Sequence, residues 1–319
     1  MKQQTVKDIQ LVIAEKIPNG LVVPEHTDTA HFYRHTGSGG GLYASVTTKT
    51  SALNTGDHLK MWAANMAVEQ LAEFLLKNRD ALDDAGRLEL VKRSAVMAHQ
   101  NYFEDAGKTG TKGHGAIEDY LNEWINTGIQ PHNITQFITP GEEDARVWAS
   151  SRSAEMFCNE WNVQPIASEL LVASKKYKYA GTLDFLCMLV EPTKCGGSMG
   201  QPHSFMDTPS GKLLCCHCGL KTQRVFALVD WKTSNSIDKE SYAMQVSAYR
   251  QALREMSGLK PKVMYIVRLD KQQAKYEVRK IVDADADFKA FVHICNVYDW
   301  KNNGAKKLLP VNKKEIITL

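Results

Sequence analysis

Two carboxylates set inside strongly apolar, strand-like runs constrain this chain more than any other feature. Asp184 closes Tyr179-Ala180-Gly181-Thr182-Leu183-Asp184, and Asp230 lies inside Val229-Asp230-Trp231-Lys232-Thr233. Both stand beyond a change of hydrophobic period. Up to about residue 161, apolar residues recur at three-and-four spacing and predict helices over 57–77, 83–105, 111–127 and 141–161, the last opened by Glu142 and Glu143. Past that point the pattern predicts strands over 165–172, 177–190, 224–231, 263–269 and 275–282, with a helix over 238–256 and a last one over 285–300. Helices, three strands, a helix and two more strands imply an α/β (α+β) chain with a mixed central sheet flanked by helices. The expected division is a mainly helical N-terminal region, 1–105, and a core, 106–319, containing a cysteine-rich insertion, 191–223.

Two glycine motifs are set aside. Gly37-Ser38-Gly39-Gly40-Gly41 lacks the preceding strand and following helix of a phosphate-binding loop and reads as a flexible turn before a β-prone piece, 42–48. Gly107-Lys108-Thr109 looks like the end of a P-loop, but Tyr102 occupies the place of that motif's first glycine and a helix precedes it.

No stretch approaches the roughly 20 apolar residues of a membrane span. The first residues carry Asp8, Glu15 and Lys16, with no arginine before Arg34, unlike a secretory or mitochondrial leader. The expectation is a cytoplasmic protein with no membrane partner. Its net charge of +3 neither demands nor excludes nucleic acid, because a phosphate groove needs local charge. Of seven cysteines, four crowd into 195–218, which suits a metal site in a reducing compartment better than disulfides.

Strand alternation sends residues 230 and 232 to one side, so a carboxylate can hold a cation while the Lys232 ammonium faces the same phosphate. With Glu118 on a helix and Asp184 on another strand, that is a phosphodiesterase arrangement. Each element also has a plain structural explanation. Asp184 alone could be a turn residue, Lys232 an exposed strand end and Tyr249 a core aromatic. Glu169, opening the strand before the second motif, has two readings, a contact with metal or substrate and a solvated strand end, of which the second is expected; Asp283, Asp285 and Asp287 are expected to cap a helix, and Cys158, Cys187 and Cys295 to be buried small side chains.

Four motifs together resemble the RecB-like exonuclease branch of the PD-(D/E)XK nuclease superfamily, which includes phage exonucleases and the mitochondrial genome maintenance exonuclease. Gly110-Thr111-Lys112-Gly113-His114-Gly115-Ala116-Ile117-Glu118 looks like the branch's helix motif. Gly181-Thr182-Leu183-Asp184 and Asp230-Trp231-Lys232-Thr233-Ser234 look like its second and third motifs, and Gln245-Val246-Ser247-Ala248-Tyr249 is similar to its glutamine-x3-tyrosine motif. The match spans roughly 106–270, and Ser45-Val46-Thr47-Thr48 extends it weakly towards the N-terminus. The resemblance implies a restriction-endonuclease-like fold and a metal-dependent DNA exonuclease. Catalytic Mg²⁺ or Mn²⁺ would be bound by Asp184, Asp230, the Trp231 carbonyl and Glu118, with His114 as an added ligand favouring Mn²⁺. Lys232 would stabilise the transition state, and Gln245, Tyr249 and Thr233 would contact the substrate strand. The partner implied is DNA, single-stranded or at duplex ends, with a further protein partner possible in recombination or replication. Phage DNA metabolism, recombination and repair in a bacterial or phage-infected cell all use such folds.

Between the second and third motifs, Cys195-x7-His203-x11-Cys215-x2-Cys218 can close a tetrahedral zinc site. Cys216 or His217 can stand in for His203, and an iron–sulfur cluster is the rival occupant. Lys212, Lys221 and Arg224, with Lys175, Lys176 and Lys178, are expected to form a basic rim or simply a solvated set. The tail lysines Lys301, Lys306, Lys307, Lys313 and Lys314 are open to the same two readings. Two rival functions remain: a zinc-dependent nucleic-acid-binding protein on a nuclease-like scaffold, and a restriction-type endonuclease, against which the Gln245 and Tyr249 motif speaks.

Overall fold

The longest strands lie where the apolar runs are longest, as β4 (Gln164–Ser174) and β5 (Tyr179–Leu189). The structure, a computed structural model, describes residues 5–27, 30–53, 57–78, 85–139, 145–198, 201–208 and 211–304. Among them, β4 and β5 join β9 (Val225–Lys232), β10 (Val263–Leu269), β11 (Tyr276–Lys280) and three short N-terminal strands, β1 (Val22–Pro24), β2 (Phe32–His35) and β3 (Leu42–Ser45). The sheet runs β1-β2-β3-β5-β9-β10-β11, with β4 paired to β5. It is mixed: β9 and β10 are parallel, as are β3 and β5, and the remaining pairs are antiparallel. Parallel strands need a crossover, and α6 (Lys239–Ser257) supplies the one between β9 and β10. Asp238 caps α6 by accepting the Ser241 N–H at 3.1 Å, and Gly258 ends it in the left-handed region, φ 76°.

Alternation along the central strands builds two apolar layers. One packs Leu186, Met188, Leu228 and Ile266 against α1 (Val6–Lys16), α6 and α7 (Ala284–Asp299). The other packs Phe185, Cys187, Val229, Trp231 and Val267 against α4 (Ala85–Thr127) and α5 (Ala145–Glu160). α3 (Asp57–Lys77) lies along the N-terminal half of α4. No helix of the described residues is long and apolar enough to cross a membrane.

Several expectations are corrected. The helices predicted over 83–105 and 111–127 are one helix, unbroken at residue 105, despite Gly107, Gly110, Gly113 and Gly115. Two of these glycines let α4 pack closely: a Cβ at Gly110 would come to 3.0 Å from Thr233 Oγ1, and one at Gly113 to 2.9 Å from Ser150 Oγ. The β-prone piece ends at Ser45, whose hydroxyl accepts the Thr48 N–H at 2.8 Å and starts the short helix α2 (Val46–Thr50). α1, β1 and β2 had no sequence forecast. Asp283 does cap α7, accepting the Ala286 N–H at 3.0 Å, and Cys158, Cys187 and Cys295 are buried. Glu142, Glu143 and the tail lysines Lys306, Lys307, Lys313 and Lys314 lie outside the described residues.

Candidate active site

The two edges of β5 explain the position of its carboxylate. β4 occupies one edge from Tyr179 to Met188. On the other, β3 pairs with Tyr179 and Ala180 and β9 with Phe185 to Leu189, so 181–184 have no strand beside them. Gly181 and Asp184 use that gap. A Cβ at Gly181 would meet Tyr249 Cε1 at 2.6 Å, so the bare backbone is what lets α6 lay the Tyr249 ring on β5. Asp184 Oδ2 accepts the Trp231 N–H at 2.8 Å, in place of a ladder bond.

Trp231 points to the other side of β9, onto Phe157 and Phe185, and its neighbours Asp230 and Lys232 therefore face α6. Lys232 Nζ lies 2.6 Å from Asp230 Oδ2 and 4.8 Å from the centre of the Tyr242 ring. Asp230 is fully buried; Oδ2 has the ammonium alone, and Oδ1 has no hydrogen-bond partner. A buried carboxylate oxygen without a donor is costly, which marks the position as built for something else.

Glu169 completes the group and overturns its expected role as a solvated strand end. It stands across from Asp184, between the pairs Ser168↔Phe185 and Leu170↔Leu183, with its backbone in the left-handed region, φ 49°. Few residues other than glycine adopt that conformation, and strain of this kind persists where surrounding structure enforces it. Ligand atoms of His114, Glu169 and Asp184 lie within 4.8 Å of one another. Glu118, one turn after His114, is not in that group, but its charge reaches Glu169.

The electrostatics are those of several buried acids crowded around one lysine. Burial, then the charges of Asp184, Glu118 and Asp230, push the Glu169 carboxyl up to about 8. Burial raises Asp230 to about 6 against the pull of Lys232, and raises Asp184 as well. His114 is lowered to about 4 by burial and then by Lys232, so it is neutral at pH 7 and keeps a ring nitrogen for ligation. For Lys232, burial opposes the charge, but Asp230 and Asp184 outweigh it and hold the ammonium above its usual range.

Gln245 Nε2 donates to the Tyr249 hydroxyl at 3.0 Å, and Tyr249 is buried against the carboxylates. Thr233 lies at the close approach to Gly110. Tyr33 of β2 shares a 3.2 Å hydrogen bond between its hydroxyl and Thr182 Oγ1 on the face that carries Asp184. Neither Tyr33 nor the role of Glu169 had a motif to reveal it.

The insertion holds a second cluster. Cys195, His203, Cys215 and Cys218 bring one ligand atom each within 4.8 Å of the others, with Cys195 Sγ 3.7 Å from Cys215 Sγ and Cys218 Sγ 3.5 Å from His203 Nδ1. A tetrahedron with bonds of about 2.3 Å has edges of about 3.8 Å, so the four can hold a metal such as zinc. Cys216 and His217 are not members. Around it, β6 (Phe205–Asp207), β7 (Leu213–Cys215) and β8 (Lys221–Thr222) form a three-stranded sheet. The insertion leaves the Leu189 end of β5, about 17 Å of strand from Asp184.

That placement corrects the single basic rim. Lys175, Lys176 and Lys178 occupy the turn at the Tyr179 end of β5, about 33 Å of strand from the Leu189 end, where the insertion that carries Lys212 and Lys221 departs. Arg224 instead ties the insertion down, donating to Asp207 Oδ1 at 2.6 Å and to the Asn162 carbonyl at 2.8 Å. No model of a known protein family matches the chain, and no curated protein matches it significantly.

Proposed function

We propose that this chain is a metal-dependent deoxyribonuclease of the RecB-like branch of the PD-(D/E)XK superfamily, an exonuclease acting on DNA ends or single strands. The carrying observation is the buried Asp230–Lys232 pair beside Asp184, Glu169 and His114, with Asp230 Oδ1 left without a donor. Desolvated acids that raise one another's pKa suit a hard divalent cation. Asp184, Asp230, the Trp231 carbonyl and Glu118 would hold Mg²⁺ or Mn²⁺, with Glu169 supplying a further oxygen and the His114 nitrogen favouring Mn²⁺. When bound, such an ion lowers the pKa of water and neutralises charge on the phosphate.

The protein's own groups do the remainder. Lys232, held in place by Asp230, presents its ammonium to the negative charge that gathers on the phosphate and orients the attacking water. Gln245 and Tyr249 border the site and, with Thr233, steady the strand. Zinc in the Cys195, His203, Cys215 and Cys218 cluster is structural in this proposal. The donor set of three sulfurs and one nitrogen at tetrahedral spacing favours it over an iron–sulfur cluster. DNA is the partner, with room for a protein partner in recombination or replication, in the cytoplasm of a bacterial or phage-infected cell.

The test uses end-labelled single-stranded and duplex DNA beside covalently closed circular DNA. Linear substrates are expected to be degraded and the closed circle spared. Cutting of the circle would turn the assignment to a restriction-type endonuclease, and metal-independent binding with no cleavage would turn it to a zinc-bearing binding module.

A further inference from the structure

The glycine loop that joins β2 to β3, Gly37-Ser38-Gly39-Gly40-Gly41, is wound onto the ring of His35. The Gly37 N–H donates to His35 Nδ1 at 3.1 Å, and the Gly40 N–H to the Gly37 carbonyl at 2.9 Å. A Cβ at Gly37 would fall 2.9 Å from His35 Cε1, and one at Gly40 would fall 2.1 Å from the His35 carbonyl oxygen. Side chains at either position would push the loop off the ring. His35 is 5% exposed, and burial, then the charge of Lys175, hold it below its ordinary pKa. Because Nδ1 accepts, the proton of the neutral ring sits on Nε2, and His35 offers an N–H rather than a charge.

His35 and Gly37 form one wall of a pocket of about 490 Å³, a size typical of small-molecule sites. Its other walls sort by chemistry. Lys16 at the end of α1, with Lys175 and Lys176 in the β4–β5 turn, brings three ammonium groups to it, against one carboxylate, Glu255. Lys175 Nζ donates to the Ser38 carbonyl at 2.7 Å, which ties the turn to the glycine loop and uses one of three donors. Lys176 Nζ lies 4.9 Å from the centre of the Tyr177 ring, and Lys16 makes a 2.7 Å pair with Glu15 in solvent, where such pairs are weak. Leu21, Ala173 and Met256 supply apolar surface, the last fixed by the Ala173 N–H, which donates to Met256 Sδ at 3.1 Å. Gln251 Nε2 donates to Glu255 Oε1 at 2.9 Å, and Glu255 Oε2 accepts the Ser174 hydroxyl at 2.7 Å, so an amide and a carboxylate are held side by side.

The pocket is separate from the acids. Ala173 pairs with Ala180, which lies four residues, about 13 Å of strand, before Asp184 on the same face of β5. Between the two, Ala173, Ala180 and Tyr33 pack together and the Tyr33 hydroxyl meets Thr182. None of Glu118, Glu169, Asp184 and Asp230 lines the pocket. We propose that it binds a free nucleoside phosphate, the phosphate on the three lysines and His35, the base on Leu21, Ala173 and Met256 with its edge against Gln251 and Glu255. A phosphate ion alone would leave the apolar wall wet, and an uncharged ring would leave the lysines without an anion. A phosphorylated strand end shares this chemistry, but the packed layer between pocket and acids favours the free nucleotide. The inference goes beyond the phosphodiesterase reading, which uses none of these residues.

Isothermal titration calorimetry of the full chain in EDTA tests this, with deoxyadenosine monophosphate, deoxyadenosine, inorganic phosphate and a terminally phosphorylated oligo(dT) as ligands. Wild type is expected to bind the monophosphate about tenfold more tightly than either deoxyadenosine or inorganic phosphate, each of which lacks half of the contacts. The double variant Lys175→Ala/Lys176→Ala should bind it about tenfold more weakly with an unchanged urea midpoint, and Lys212→Ala, which removes a lysine of the insertion, should bind it as wild type does. No binding of the monophosphate, affinity no greater than that for inorganic phosphate, or a double variant that binds as wild type would overturn the proposal. So would a phosphorylated oligo(dT) that binds more tightly than the monophosphate and loses that advantage in the double variant, since the pocket would then serve strand ends. Because binding is read without divalent metal, absence of cleavage with Mn²⁺ would refute the phosphodiesterase reading while leaving this result standing.

Discussion

Gly181→Ala places a methyl carbon 2.6 Å from Tyr249 Cε1 and 3.2 Å from its hydroxyl oxygen. Carbon atoms in contact rest about 3.5–4.0 Å apart, so the ring must retreat by about 1 Å. It has little freedom to do so, being 4% exposed and held through its hydroxyl by Gln245. Overpacking of this kind costs about 1–3 kcal/mol. Tyr249→Ala alone opens a cavity and should cost about 3–5 kcal/mol, by analogy with other large aromatic truncations. In the double variant the new methyl group faces that cavity, so the combined loss should fall short of additivity by about 1–3 kcal/mol. Urea denaturation followed by circular dichroism, on wild type, both single variants and the double, measures all four corners. Additivity within about 0.5 kcal/mol, or a Gly181→Ala protein of wild-type stability, would refute the close approach as the reason for the glycine.

Glu169 makes stability depend on pH. Between the ordinary value of 4.5 and about 8, the folded chain holds a proton that the unfolded chain has released, so this group's contribution falls as pH rises. In EDTA, the Tm of wild type relative to Glu169→Gln should therefore drop from pH 6.5 to 8, and Mn²⁺ should reverse the drop; a flat difference would contradict the buried cluster. Cys218→Ser should lower folded yield through loss of the insertion's metal, whereas normal stability with lost DNA binding would argue against a structural role. Asp283→Ala should cost about 1 kcal/mol by removing the α7 cap, equally with and without Mg²⁺, and a metal-dependent loss would instead make the acidic series a cation site.

Elements with long, clean patterns could be read from the chain alone: β4, β5, β9, β10, β11, α6 and α7 stand close to their forecasts. Their embedded carboxylates and the Cys–His spacing located both clusters because local order decides which residues share a strand face or a tight turn. Four glycines made α4 look broken; packing of Gly110 and Gly113 onto Thr233 and Ser150 is a tertiary effect that no local propensity contains. β1 and β2 are three and four residues long, too short for alternation to register. The choice between the two readings of Glu169 depends on a left-handed backbone and on strand register, and Tyr33 arrives from a distant strand, so local pattern decides neither. The supposed basic rim failed because nearness in sequence across a hairpin of eleven-residue strands is not nearness in space.

The central claim is that Asp230 and Lys232 act with a divalent cation to hydrolyse phosphodiester bonds. Incubating end-labelled DNA with wild type, Asp230→Ala and Lys232→Ala proteins, in Mg²⁺, Mn²⁺ or EDTA, tests it most directly. Degradation by wild type with either metal, abolished by EDTA and by each substitution in a folded protein, is the predicted result. Wild-type cleavage that persists in EDTA, or an Asp230→Ala protein as active as wild type, would contradict it.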